Sequence, residues 1–279
     1  MEFFDTIMDI AEAKAEIFSG MRGGVAVLNR DNPFFPVLIV SAYAAGVERV
    51  ISFGAHPEAQ MRLLAYKPAP TGSDVSAHFE GREIKYRLGV SGRHWAFNSL
   101  AVLAAVRAVG ADVDQAAAAL GELAAPKGRG KRHRVALAGG SFELIDDSYN
   151  ASPASMRGAI EILANSKPSA TGRRIAALGD MLELGPESAR LHAGLESALR
   201  AGHIDLVFSA GTFMRALHEA LPPEMRGSHA ETSEALAKIL VEQVRPGDVV
   251  TVKGSLGSRM AKVVEALLAL HRMPHAVNG

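Results

Sequence analysis

Four short apolar runs, Phe142–Ile145, Ile175–Leu178, Leu206–Ser209 and Val249–Val252, are separated by stretches whose apolar residues recur at helical spacing. The helical patterns cover Ala154–Ala164, Glu187–Ala201, Thr212–Leu221 and Ser233–Val244, and a last one runs from Arg259 to Leu270. Strands separated by helices of about 10 to 15 residues cannot be hairpins; they are βαβ units, and they predict a mostly parallel sheet. In such a sheet ligands sit beyond the carboxyl ends of the strands. The segments that follow these ends are Asp146-Asp-Ser-Tyr-Asn150, Gly179-Asp-Met181, Ala210-Gly-Thr212 and Lys253-Gly-Ser255, all small, polar or ionic. The second half therefore reads as a Rossmann-like α/β domain with its site on one edge.

The first half is also α/β but less regular. It opens in mid-helix and continues with a strand at Ala26–Leu28, a helix at Pro33–Ala45 and a strand at Val50–Phe53. Two alternating runs, Ser76–Glu80 and Glu83–Leu88, predict a hairpin around Glu80-Gly81-Arg82. Helices follow at His94–Val109 and Val113–Leu123. At about 150 residues per domain, a chain of 279 residues holds two. The segment Pro126-Lys-Gly-Arg-Gly-Lys-Arg-His-Arg134, with five Lys/Arg in nine residues, reads as the linker, giving domains 1–125 and 126–279.

Composition narrows the function classes. Thirty basic side chains balance thirty acidic ones, which leaves no electrostatic footprint for nucleic acid. Cysteine is absent, excluding disulfides, cysteine-based zinc sites and thiol nucleophiles. The longest apolar stretch, Phe34–Val47, contains Pro36 and falls short of the about 20 residues a bilayer span needs, so it predicts a buried core helix. The first residues carry acids where a signal peptide is basic, an expectation of a cytoplasmic protein without membrane insertion. A Gly-x-x-x-x-Gly-Lys-Ser/Thr phosphate loop and a Gly-x-Gly-x-x-Gly fingerprint are both missing from the sequence.

Several residues could carry chemistry. Lys14 falls on the apolar stripe of Ile7, Ile10, Ala11, Ile17 and Phe18. A lysine there either snorkels to the rim or loses its charge. A neutral amine can add carbon dioxide, and the resulting carbamate is an oxygen ligand for Mg²⁺. His94, Trp95 and Asn98 open a helix and could hold a planar base, or simply form the helix entry. Arg129 in the linker suits a phosphate. Asp147, or its neighbour Asp146, could accept from ribose hydroxyls or cap the next helix. Asp180 and Glu183 suggest a carboxylate pair without fixing their separation, and His192 on its helix reads as structural. Lys253, Ser255 and Arg259 cluster at a helix start, which favours an anion.

Together these strings resemble a known family. Glu2-Phe-Phe, then Ile10-Ala-Glu-Ala-Lys14-Ala-Glu-Ile17-Phe18, Leu28-Asn29-Arg-Asp31 and Gly92-Arg-His94-x-x-x-Asn98-Ser-Leu are similar to the central domain of a Mur ligase. Lys127-Gly-Arg129, Asp146-Asp-Ser-Tyr-Asn-Ala-Ser-Pro153, Leu178-Gly-Asp-Met-Leu-Glu-Leu-Gly185 and Val252-Lys-Gly-Ser255 follow in the family's order. The Asp-Ser-Tyr-Asn-Ala and Gly-Asp-Met-x-Glu-Leu-Gly runs resemble the branch that joins D-alanyl-D-alanine to UDP-N-acetylmuramoyl-tripeptide. The resemblance implies an ATP-dependent ligase of peptidoglycan synthesis that uses Mg²⁺ and an acyl phosphate. It also implies residue roles. Lys14 would be the carbamylated metal ligand, Asn98 and His94 would contact adenine, Arg129 the ATP phosphate and Asp147 the ribose. Tyr149, Asn150 and the loop of Lys253 and Ser255 would face the amino-acid substrate. The family's UDP-sugar domain and phosphate loop have no counterpart here, so the chain reads as the second half of a central ATP-binding domain plus a C-terminal domain. Such a piece is expected to be inactive alone, its N-terminal part supplied separately; the alternative is a non-catalytic ligand-binding remnant or split-gene subunit.

Overall fold

Each apolar run of the second half becomes a strand, for the reason its pattern predicts: a strand buried on both faces has no polar side to show. The computed structural model describes Phe4, residues 6–69 and residues 72–272; Glu2 and Phe3 of the family-like string lie outside them. The chain divides into two units between Ala124 and Ala125.

The first unit is built on a sheet of five strands in chain order: β1 (Val25–Asn29), β2 (Arg49–Gly54), β3 (Met61–Pro68), β4 (Ser73–Phe79) and β5 (Arg82–Leu88). β1, β2 and β3 are parallel, and β3 to β5 form an antiparallel meander. The β4–β5 turn needs two residues at positive φ, and Glu80 at 47° and Gly81 at 80° supply them. Helices α1 (Ile7–Ala15) and α2 (Phe35–Ala44) come before β2, and α3 (Arg93–Ala108) and α4 (Val113–Ala119) follow β5. Around α1 and α2 the buried cluster holds Phe18, Ala26, Leu28, Phe35, Ala42, Val47 and Val50.

Two expectations for this unit are corrected. The apolar stretch around α2 is not a buried core helix: only Phe35 and Ala42 of the helix are buried, while Val40 is 67% exposed. Nor does Lys14 sit on a buried face. The inward residues of this segment are Ala11 and Phe18, and Ile7, Ile17 and Lys14 are exposed. The stripe that the spacing picks out lies beside the face that packs.

The second unit carries six strands in the order β10-β9-β8-β11-β7-β6. They are β6 (Lys131–Leu137), β7 (Gly140–Asp147), β8 (Arg174–Gly179), β9 (Leu206–Ala210), β10 (Arg226–Ala230) and β11 (Val249–Lys253). All neighbours are parallel except β6 and β7. The helices are α5 (Pro153–Ala164), α6 (Ser188–Ala193), α7 (Glu196–Ala201), α8 (Met214–Ala220), α9 (Ser233–Gln243) and α10 (Ala261–Ala269). The stretch expected as one helix over Glu187–Ala201 is thus two, α6 and α7, with Gly194 between them.

Two cores enclose the sheet. One contains Met156, Ile160, Leu163, Leu199, Met214 and Leu217 from α5, α7 and α8. The other contains Leu236, Leu240, Val263 and Leu267 from α9 and α10. So β11 feeds a helix on one face, whereas its neighbours β7 and β8 feed helices on the other. The chain parts there, which opens a crevice at the carboxyl ends of these strands. The basic segment read as a linker runs into β6: Lys131–Arg134 begin this edge strand, with Lys131 and Arg134 exposed.

Candidate functional site

Register places the site. At the carboxyl end of β11, Lys253 pairs with Asp147 of β7 on one side and with Leu178 of β8 on the other. Its side chain is only 3% exposed. Nζ donates to Asp147 Oδ2 at 2.7 Å and to the Asn150 carbonyl at 2.9 Å. A buried ammonium is tolerated only with such partners. Lys253 therefore holds the loop after β7 and positions Asp147, whose side chain remains 23% exposed.

The adjacent acid has a different task. Asp146 is buried and accepts from Gly128 N at 3.0 Å and from Ser148 Oγ at 2.6 Å. Asp146 ties the loop of Arg129 to the end of β7, whereas Asp147 keeps part of its carboxylate accessible. Gly128 has φ 74°, and a Cβ there would lie 2.9 Å from Tyr149 Cβ, so only glycine fits. The contact brings Arg129 over the Tyr149 ring, with Cζ 4.4 Å from its centroid. Both residues are exposed. A guanidinium stacked on an aromatic face keeps its donors fanned in a plane for an anion.

The loop after β8 is pinned from three directions. The Asp180 carboxylate accepts from Met214 N at 2.8 Å and Phe213 N at 3.3 Å, at the start of α8. Leu182 N donates to Ser255 Oγ at 3.0 Å, and Ser255 N donates to the Asp180 carbonyl at 3.0 Å. His192, fully buried, accepts from Met181 N through Nε2 at 2.9 Å and donates through Nδ1 to the Ser188 carbonyl at 2.6 Å. Burial pushes its pKa down, against the raising effects of the Ser188 carbonyl and the Asp180 charge. This is a neutral structural histidine. Asp180 and Glu183 do not pair for acid–base work: Asp180 caps α8, and Glu183 is exposed at a positive φ of 64°.

The expected anion cluster of Lys253, Ser255 and Arg259 is not assembled. Lys253 is committed to Asp147, Ser255 is buried under Leu182, and Arg259 pairs with Glu234 at 3.2 Å. Lys253 and Ser255 thus hold the loops from beneath. Tyr149 and Asn150 are exposed above them.

In the first unit, His94 and Asn98 stand four residues apart on the exposed side of α3. The helix is entered through Gly92 at φ 129°, whose N–H donates to Tyr66 Oη at 2.9 Å. His94 lies against Trp95, ring centroids 5.6 Å apart. One exposed imidazole and one exposed amide, i to i+4, make a surface that can take a heterocycle. Lys14 is exposed in the last turn of α1. Among the described residues no three His, Asp or Glu side chains gather to hold a metal ion. No described helix is long and apolar enough to cross a membrane.

Comparison with known proteins gives the same order of parts. The Mur ligase middle domain matches residues 1–106, and the Mur ligase, glutamate ligase domain matches residues 128–256. The UDP-N-acetylmuramoyl-tripeptide–D-alanyl-D-alanine ligase of Rickettsia prowazekii is 28% identical over 266 residues, covering 95% of this chain and 58% of that protein. The ligase of the same name from Escherichia coli is 33% identical over 286 residues, covering 96% and 57%. The chain thus spans little more than half the length of the curated relatives it matches. Among solved structures, MurF from Acinetobacter baumannii superposes with a TM-score of 0.78 at 24% identity, over 96% of this chain and 56% of that one. A MurF ligase from Thermotoga maritima in complex with ADP gives 0.78 at 25%, over 97% and 59%. Two Mur ligase domain matches in succession, on a fold that superposes on Mur ligases over nearly its whole length, show that the chain belongs to the Mur ligase family.

Proposed function

We propose that this chain is part of an ATP-dependent carboxylate–amine ligase that adds D-alanyl-D-alanine to UDP-N-acetylmuramoyl-tripeptide, a cytoplasmic step of peptidoglycan synthesis. One observation carries the reading: the loops after β7, β8 and β11 are knitted by Lys253, Asp147, Asn150, Asp180 and Ser255 at the point where the chain parts to opposite faces of the sheet. A rigid, polar crevice at that place is what an acyl-transfer site needs.

In the reaction, the tripeptide carboxylate takes the terminal phosphoryl group of ATP and ADP departs. The amine nitrogen of D-alanyl-D-alanine then attacks the acyl carbon, phosphate leaves and the amine loses a proton. Residue by residue, Asn98 and His94 receive the purine, Asp147 the ribose hydroxyls and Arg129 a phosphate, while Tyr149 and Asn150 border the amine substrate. Lys253 acts through Asp147 as a positioning residue. A carbamylated Lys14 would be an oxygen ligand for Mg²⁺ in the complete enzyme, where the ion would neutralise phosphate charge.

Calorimetric titration with ATP and with D-alanyl-D-alanine tests the proposal. Both are expected to bind, and Arg129→Ala is expected to weaken ATP by about tenfold, the worth of a charge-assisted contact. Binding of neither would sink it. The sequence has no phosphate loop, so the chain alone is expected to form no amide product; ligation by the purified chain would overturn that part.

One observation favours a second reading, in which a separate polypeptide supplies the phosphate loop. Ile7, Met8, Ile17, Val40 and Tyr43, on and around α1 and α2, are between 41% and 73% exposed. Apolar exposure on this scale marks an association surface. A partner that co-elutes from source cells would support it; a single longer polypeptide carrying these residues would exclude it.

A further inference from the structure

Among the described residues of the second unit, four large apolar side chains are exposed: Tyr149 at 45%, Leu182 at 37%, Phe213 at 37% and Leu256 at 66%. Each lies on a different loop, after β7, β8, β9 and β11 in turn, and all four loops leave the same edge of the sheet. Single exposed apolar residues are ordinary when scattered. Here none is scattered.

The loops of Leu182, Phe213 and Leu256 are also joined through Asp180 and Ser255. Leu182 is anchored by its N–H on Ser255, and its Cδ1 lies 2.6 Å from where a Cβ on Gly257 would stand, so it covers the residue next to Leu256. Phe213 packs on His192 with ring centroids 5.7 Å apart, and its N–H reaches Asp180 at 3.3 Å. Tyr149 gives one ring face to Arg129. Beneath them Lys253 is bonded to Asp147, and Asp180 caps the start of α8. What remains facing outward from Leu182, Phe213 and Leu256 offers no hydrogen-bond partner. A polar side chain set against that wall would lose water without compensation, whereas a methyl group would gain.

We propose that Leu182, Phe213 and Leu256 form the specificity wall for the side chains of the amine substrate, selecting a dipeptide whose side chains are apolar. The proposal rests on the site being the amine site of a ligase, and deepens it by naming residues that select the substrate. It gives the three side chains a role that neither fold stability nor the reacting atoms require.

The test is NMR titration of the full 279-residue chain, labelled at leucine methyls and backbone amides, with D-alanyl-D-alanine and with glycylglycine. D-alanyl-D-alanine is expected to move the Leu182 and Leu256 methyl signals and to bind at least about tenfold more tightly than glycylglycine, the discrimination that methyl groups earn in an apolar pocket. The double variant Leu182→Ser/Leu256→Ser changes exposed side chains, so its amide spectrum should stay native. It should bind both dipeptides within about twofold of each other. Equal affinity in the unaltered chain, unmoved leucine methyls, or discrimination retained in the variant would each overturn the wall, while signals from Asp147, Asn150 and Lys253 that still respond would leave the ligase reading standing. If D-alanyl-D-alanine moves none of those signals either, both fall.

Discussion

The two units differ in how deeply they place charge. The second carries surface pairs such as Arg259–Glu234 and Arg215–Glu231 but also buries two: Asp248 has no exposed side-chain surface and accepts from Arg173 Nη2 at 2.7 Å, and Lys253 meets Asp147 at 2.7 Å with 3% of its own surface exposed. In the first, the pairs Arg82–Asp114, Arg87–Asp74 and Arg107–Glu80 lie on the surface, each partner at least 40% exposed. Apolar exposure divides similarly. Among the described residues, large exposed apolar side chains lie on the crevice loops in the second unit, and on and around α1, α2, β3 and α3 in the first. The difference teaches that a sheet covered by helices on both faces can bury charge where it must define loop geometry. Surface pairs decide little, because water competes for both partners.

The comparison breaks most readily at Asp248. Asp248→Ala leaves the Arg173 guanidinium and the backbone N–H groups of Arg173 and Arg245 without their acceptor. A loss of about 3–5 kcal/mol is expected, read as a lowered denaturation midpoint of the second unit only. A loss shared by both units would show that they do not unfold separately.

Next in size is Gly81→Ala in the first unit. Its φ of 80° is a left-handed conformation with open space around it, so only backbone strain is added. That is worth about 1–2 kcal/mol by thermal denaturation. An unchanged melting temperature would mean the turn adapts.

Acid sharpens the contrast more gradually. Burial is the largest influence on His192, His218 and His229, and it lowers the pKa of each below the usual 6.5. Nearby Arg215 lowers His218 and His229 further. Below about 6.5 the unfolded chain takes up protons that the folded unit resists, so stability falls as pH drops through that value and is undiminished above it. Denaturation midpoints of the second unit at a series of pH values check the sign; a midpoint that rises on acidification would refute it. The smallest effect belongs to the surface: Asp114→Ala removes the partner of Arg82 and is expected to leave the denaturation midpoint where it was.

How much was legible depended on the strand. β7, β8, β9 and β11 announce themselves because both faces are buried and their sequences are continuous apolar runs. β6, with Lys131-Arg-His-Arg134, reads as a linker because an edge strand can carry charge on its free side. β10, Arg226-Gly-Ser-His-Ala230, is hidden for the same reason at the opposite edge. β3 is obscured by partial exposure along most of its length. In the site, Asp147, Tyr149 and Asn150 could be picked out because they lie at and beyond the end of β7, and Arg129 because it sits in a basic connecting segment. The wall of Leu182, Phe213 and Leu256 could not, since a lone apolar residue in a loop carries no periodicity.

Local pattern by itself determined the βαβ rhythm of the second unit, the edge on which the loops gather and the hairpin at Glu80-Gly81, because these depend on spacing and backbone preference within a few residues. Tertiary structure alone decided where the charges point. Lys253 looks like a cation offered to a ligand, yet its partner is 106 residues away in the chain. Lys14 looks buried, yet the face of α1 that packs is the neighbouring one. Which side chain meets which is set by strand register and helix orientation, and those are fixed only when distant segments bury each other's apolar surface.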